Sequence, residues 1–294
     1  MKKYSFIILS AIASLGAYAQ TTAEPIKFGD MDRWVTRHIK ESRVIGGNDK
    51  TVYEIGPTQT IEGAKAYTPL GGSPWATSNV YARVMGVNKT SNAVFPETRG
   101  DGQCARLSTI LESCKVLGLM NIEVLVSGSI FLGQMFEPIS STSNPYSKME
   151  MGIPFTKRPK ALQFDYKLTD PGTGTITHAT TGSKKTFPGH DSADVFCYLQ
   201  RRWEDADGNI HAKRVATGRE RYRGTTPWKN AHRINLIYGD ATANPAYKPY
   251  MGLLNGDKAY YARNSKGKMV PVQEEGWDSP DAPPPPKIIS GVYT

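Results

Sequence analysis

The chain reads as an all-β protein. Three observations carry this reading. Short runs alternate side chains with a period of two, whereas helix-period apolar stripes are scarce. Glycine (28) and proline (20) punctuate those runs at turn-like intervals. Hydrophobic residues make up 39% and charged residues 21%, a globular balance with enough apolar mass for one sizeable core.

Residues 1–19 read as a secretory leader outside the fold. Lys2 and Lys3 are followed by an apolar run from Phe6 to Leu15 and the small-x-small site Ala17-Tyr18-Ala19. The run falls short of the roughly 20 residues a helix needs to cross a bilayer, and no cysteine follows the cleavage site. The expectation is an exported protein of the periplasm, cell surface or extracellular space, with no transmembrane segment. Residues 20–282 then form one domain with an irregular N-terminal segment, and 283–294 a proline-rich tail. Within that tail, Lys287 to Tyr293 is either a closing strand reached across a proline linker or left out of a sandwich that closes differently.

Within the domain, Gly46-Gly47-Asn48-Asp49 is a turn and 52–61 a strand interrupted at Gly56-Pro57. Trp75 follows the loop 69–74, where a ring serves equally as a sugar platform or a core plug. Further strands are expected at 80–87, 104–110 and 122–135, the last with a bulge or close backbone approach at Gly128. The polar stretch 137–148 is a loop. In 152–159, Pro154 and Pro159 force extended backbone, and 161–168 alternates cleanly. Residues 169–183 form a turn-rich hairpin. The clearest strand is 195–203; Asp207-Gly208 then signals a hairpin into 210–217. Asp205-Ala206-Asp207-Gly208-Asn209 mimics a calcium loop, but its glycine comes too early and the closing glutamate is missing. Arg219, Arg221 and Arg223 alternate with Glu220 and Tyr222, so three guanidinium forks line one face if this is a strand. Such a row suits carboxylates or sulfates, or is simply a solvated, ion-paired face. Residues 228–238 give another core strand, and Asp281 to Pro286 an extended polyproline segment.

The central block resembles a known family. Gly-Ser-Ile-Phe-Leu-Gly at 128–133, Gly-Ile-Pro-Phe-Thr-Lys-Arg-Pro-Lys-Ala-Leu at 152–162 and Asp165-Tyr166-Lys167 are similar to the "putative carbohydrate metabolism domain" of secreted Bacteroidetes proteins. The resemblance extends weakly to 73–79, 105–109, 194–196 and 226–228, covering roughly residues 70 to 240. It implies a jelly-roll β-sandwich like those of carbohydrate-binding modules, with a role in glycan use.

The formal charge is +9, or two less without Lys2 and Lys3. An exported basic protein meets envelope polymers before nucleic acid, so poly- or oligosaccharides, acidic ones among them, are the expected partners and nucleic acid is not. An envelope protein is a further candidate partner. The functional expectation is a glycan-binding sandwich whose exposed rings, among Trp75, Trp203, Tyr222 and Trp228, stack on sugars. Arg219 and Arg221 would supply polar contacts. One alternative is a glycoside hydrolase. It needs two carboxyl groups about 5.5 Å apart for retention or up to about 9.5 Å for inversion, and Glu137 and Asp165 are the least bland candidates. Another alternative is a structural or adhesive surface module. No cofactor is expected. Calcium held by loop carbonyls leaves no spacing signature, so metal binding stays open. Of three cysteines, Cys104 and Cys114 are the candidate disulfide and Cys197 a buried apolar residue.

Overall fold

The computed structural model describes residues 22–116, 120–141, 144–170, 172, 174–180, 183–283 and 287–293. The leader expected at 1–19 lies outside the described residues. Among the described residues the regular structure is strand, with short 3-10 turns and no α-helix.

A first sheet joins β1 (Trp34–Lys40), antiparallel to β2 (Asp49–Ile55) and parallel to β3 (Gln59–Glu62). After the short β4 (Trp75–Thr77) come three hairpins. These are β5 (Val80–Val84) with β6 (Val87–Ser91), β7 (Val94–Arg99) with β8 (Gly102–Leu107), and β9 (Ile110–Val116) with β10 (Met120–Val126). Gly128 then lets the chain pass where a side chain would not fit. A Cβ there would lie 2.5 Å from the Ala93 carbonyl oxygen and from the Ser108 nitrogen.

The main sheet begins at β11 (Ser129–Met135), β12 (Met149–Met151) and β13 (Ile153–Pro154). Next are β14 (Ala161–Leu168) and the hairpin of β15 (Thr175–Thr180) with β16 (Ser183–Pro188). The long strands β17 (Ala193–Glu204) and β18 (Ile210–Tyr222) follow, then β19 (Thr226–Asn235), which pairs with β14, and β20 (Ile237–Tyr238). β21 (Tyr261–Arg263), β22 (Met269–Trp277) and β23 (Lys287–Tyr293) complete the chain order. Pairing runs β23–β17–β18–β22–β21–β12–β11, and β11 pairs in turn with β23, so the sheet curls until its ends meet. Most ladders are antiparallel; β1–β3, β12–β21 and β18–β22 are parallel.

The result is the layered β-sandwich expected of the sequence. One core lies between the first sheet and the main one, where Trp34, Ile55, Trp75 and Val94 meet Ile130, Leu132, Leu199 and Val215. The opposite face of the main sheet buries Phe131, Phe196, Tyr198, Met149 and Met151 under Leu254. β17 is thus covered on both sides, and for that reason every residue from Asp194 to Gln200 is buried instead of every other one. Phe196 and Tyr198 each contribute about 1.5–3 kcal/mol by leaving water.

A polar cluster sits inside the curl. Arg214 and Glu274 are wholly buried and ion-paired, with Arg214 Nε donating to Glu274 at 2.5 Å. Gln200 and the Leu254 amide donate to the same carboxylate, and the Arg214 guanidinium lies 3.7 Å over the Tyr198 ring. Every acceptor on Glu274 is used, the condition under which a buried charge is tolerated.

The C-terminal expectation needs correction. Residues 287–293 are not a tail: β23 forms seven paired positions with β17 and borders β11 and β13 on its other side. Gly291 is the point of closest packing, 3.0 Å from the Phe196 ring at its would-be Cβ.

Candidate functional site

Several residues singled out in the sequence prove to be structural. Trp75 is 8% exposed, packed in the core, and its indole nitrogen donates to the Lys27 carbonyl at 3.0 Å. It has no face to offer a sugar. Glu137 has a side chain only 1% exposed and takes both guanidinium nitrogens of Arg37, at 3.1 and 2.5 Å. It also accepts the backbone amides of Tyr67 and Tyr81, at 2.9 and 2.7 Å. Glu54 shares Arg37, and burial pushes the Glu54 carboxyl upward. Glu137 is therefore a spent acceptor that ties four chain segments together, not a catalytic acid. Asp165 accepts the Ala231 amide and Arg99, both at 2.7 Å, and those contacts hold it below the usual carboxylate range. Asp165 is held on the β14–β19 ribbon by these contacts, whereas Glu137 is held by Arg37, Tyr67 and Tyr81.

The expected Cys104–Cys114 bridge is also absent. Cys104 is a free thiol on β8, opposite Glu97, whose carbonyl oxygen it approaches at 3.5 Å. Cys114 belongs to a different hairpin, with its backbone opposite Ile122, and its side chain lies outside the described residues. Cys197 is buried and free, and burial raises its thiol to about 12.

The remaining candidates gather at the two ends of the β17–β18 ribbon. At the turn end, Trp203 and His211 face each other across the ladder. Their rings stack at 5.6 Å and 17°, and Trp203 keeps 40% of its surface exposed. His211 is gripped by two carboxylates, Asp205 at 3.0 Å from Nε2 and Glu275 at 2.6 Å from Nδ1. The Asp205 bond raises the imidazole above its ordinary value, with Glu275 adding to it. The turn itself fixes Asp205, which accepts the Asn209 amide and side-chain nitrogen at 2.8 and 2.9 Å while Gly208 supplies a φ of 91°. Next to Trp203, Glu204 accepts the amide and hydroxyl of Ser265. An exposed indole, backed by an imidazole held between two carboxylates, is a rigid ring with acceptors nearby.

At the other end the two faces of β18 differ. On one, Glu220 accepts from the Tyr222 hydroxyl and lies within hydrogen-bond distance of His232 Nε2, both at 2.7 Å. Tyr166 packs 4.7 Å from Tyr222, and Phe164 closes the cluster. Burial pushes the Tyr222 phenol upward, with Glu220 reinforcing it. The ring is half-buried and occupied by its neighbours. On the opposite face Arg219 is spent on Asp194, the Tyr198 hydroxyl and the Tyr250 carbonyl. Arg221 shares the same Asp194 at 3.0 Å but remains 42% exposed. Trp228, on the β14–β19 ribbon, is covered by Arg99 at 3.9 Å, with Lys167 at 5.5 Å.

Sequence reading missed His211, Glu275 and His232. His211 was within reach: an Asp-Gly hairpin fixes the register that sets it opposite Trp203. Glu275 comes from β22, a parallel neighbour for which no local signal exists. Among the described residues no group of three or more His, Cys, Asp or Glu side chains is placed to hold a metal ion, and no helix is long and apolar enough to cross a membrane. Two surface depressions, of about 390 and 510 Å³, are lined by residues such as Gln134 and Glu150 or His38 and Glu62, without Trp, Tyr or Phe.

Comparison with known proteins gives one solved structure, described as a putative glycoside hydrolase from Bacteroides thetaiotaomicron. It is 15% identical, with a TM-score of 0.38 over 83% of this chain and 67% of that one, a likeness too distant to transfer an activity. No curated protein matches the chain. Residues 51–248, more than half of the chain, match the family described as "Putative carbohydrate metabolism domain", and the protein belongs to that family.

Proposed function

We propose that the protein binds glycan chains as part of carbohydrate metabolism, and that Trp203 is its stacking platform. The observation that supports this is the pairing of an exposed indole face with a back face held by His211, Asp205 and Glu275. The apolar face of a pyranose matches such a ring, and the carboxylate rim offers acceptors for its hydroxyls. Because the ring is already ordered by the hairpin, little freedom is lost on binding. The basic-apolar-small pattern at 1–19 supports an activity outside the cytoplasm.

Isothermal titration with neutral oligosaccharides (cello-, xylo- and manno-oligomers) tests the reading. Saturable binding by the wild type and roughly tenfold or weaker binding by Trp203→Ala are expected. Equal affinity of the two proteins would remove Trp203 from the site. Release of reducing ends by the wild type, abolished by one Asp or Glu change, would make the protein a hydrolase instead.

A further inference from the structure

The arginine face at the open end of the ribbon is built differently from an ordinary basic surface. Arg219, Arg221 and Arg223 follow one another on one side of the strand, with Asp194 as the carboxylate that Arg219 and Arg221 share. Arg223 turns its Nε to the neutral hydroxyl of Ser192 at 2.7 Å. Three cations are thus matched by one buried anion. Arg219 is saturated, but among the described residues Arg221 and Arg223 make hydrogen bonds through Nε and none through their terminal nitrogens. Arg221 is also held in place, since its guanidinium lies 4.6 Å over the Tyr250 ring while Nε is fixed on Asp194. Exposed arginines normally spend much of their binding energy on being ordered; here the ordering is done beforehand.

We infer that Arg221 and Arg223 form a second binding site, which takes the carboxylate or sulfate of an acidic glycan. The inference rests on the glycan-binding reading but not on its platform. His211 and Arg221 are ten residues apart on β18, about 33 Å at the rise of a strand, so one sugar unit cannot reach both. A planar oxyanion accepts two parallel N–H bonds from a guanidinium fork, which a lysine cannot reproduce. The acidic group of a polysaccharide would complete the charge that Asp194 leaves unmatched.

The test titrates oligogalacturonate for the carboxylate, chondroitin sulfate oligomers for the sulfate, and cellohexaose as the neutral control. The proteins are the wild type, Arg221→Ala/Arg223→Ala and Arg221→Lys/Arg223→Lys, with unfolding curves checking that each folds. At least one acidic oligomer should bind the wild type, and roughly tenfold to a hundredfold more weakly in the alanine variant. The lysine variant should remain weakened, because charge without the fork is insufficient. Three results would overturn the inference: no acidic oligomer binds, the alanine variant binds as the wild type does, or the lysine variant restores full affinity. Binding to phosphatidylglycerol vesicles in place of any acidic oligomer would also overturn it. Cellohexaose reads the Trp203 platform separately. Loss of neutral binding with acidic binding intact would retire that platform and leave the arginine site standing.

Discussion

The turn end and the open end of the β17–β18 ribbon share a backbone and a core yet carry opposite charge. At the turn, Asp205 and Glu275 hold the imidazole that stacks on one exposed indole. At the open end, Arg219 and Arg221 share a single carboxylate, Arg223 turns to a neutral hydroxyl, and the nearby rings are half-buried. With about 33 Å between them, each end lies several screening lengths beyond the other at physiological salt. A net charge of +9 therefore describes neither site. On the proposed reading, neutral sugars would go to the turn end and acidic groups to the arginines.

The largest effect is expected where the two ends are joined. Arg214→Met leaves the Glu274 carboxylate buried and without its counter-ion, and should cost about 3–5 kcal/mol in urea unfolding. A loss below about 1 kcal/mol would mean that the ribbon is not the rigid frame holding both sites.

A smaller, local effect concerns His211. Its native pKa lies above the unfolded value of about 6.5 because Asp205, and then Glu275, favour the charged ring. The stabilisation from this ion pair is fully present below that unfolded value and is lost as pH rises through the raised native one. Proton NMR titration should place the His211 midpoint above 6.5, and Asp205→Asn should bring it down. A midpoint unmoved by that substitution would separate the imidazole from the turn carboxylate. No comparable shift is expected from salt-insensitive contacts at Trp203.

The smallest effect is a difference in salt response. Raising sodium chloride from about 0.05 to 0.5 M should weaken acidic oligomers several-fold at the arginines and leave neutral oligomers at Trp203 unchanged. Equal responses would erase the distinction between the ends.

What could be read from the sequence was local. Asp207-Gly208 gives the hairpin because its turn needs positive φ, and Gly208 has it at 91°. Gly128 reads as a close backbone approach and proves to be one. The alternation of Arg219 and Arg221 with Glu220 and Tyr222 sorts those residues correctly onto opposite faces. What could not be read depends on partners far along the chain. Glu137 was a plausible acid until Arg37, 100 residues earlier, claimed both its oxygens. Trp75 stands beside a turn whether it is a platform or a plug, and the Lys27 carbonyl decides for the plug. Four consecutive prolines look like the start of a tail because the ladder that receives β23 is formed by β11 and β17, well upstream.

That late strand governs the order of assembly. β23 runs alongside the whole of β17's buried stretch and touches the upstream segments β11 and β13 as well, so the curl stays open until residue 293 has been made. The seven-position ladder between β17 and β23 therefore depends on a pairing of high contact order, while the β17–β18 hairpin does not. Closure of the curl is thus the most non-local event in the fold, because it joins the last strand to segments made far earlier.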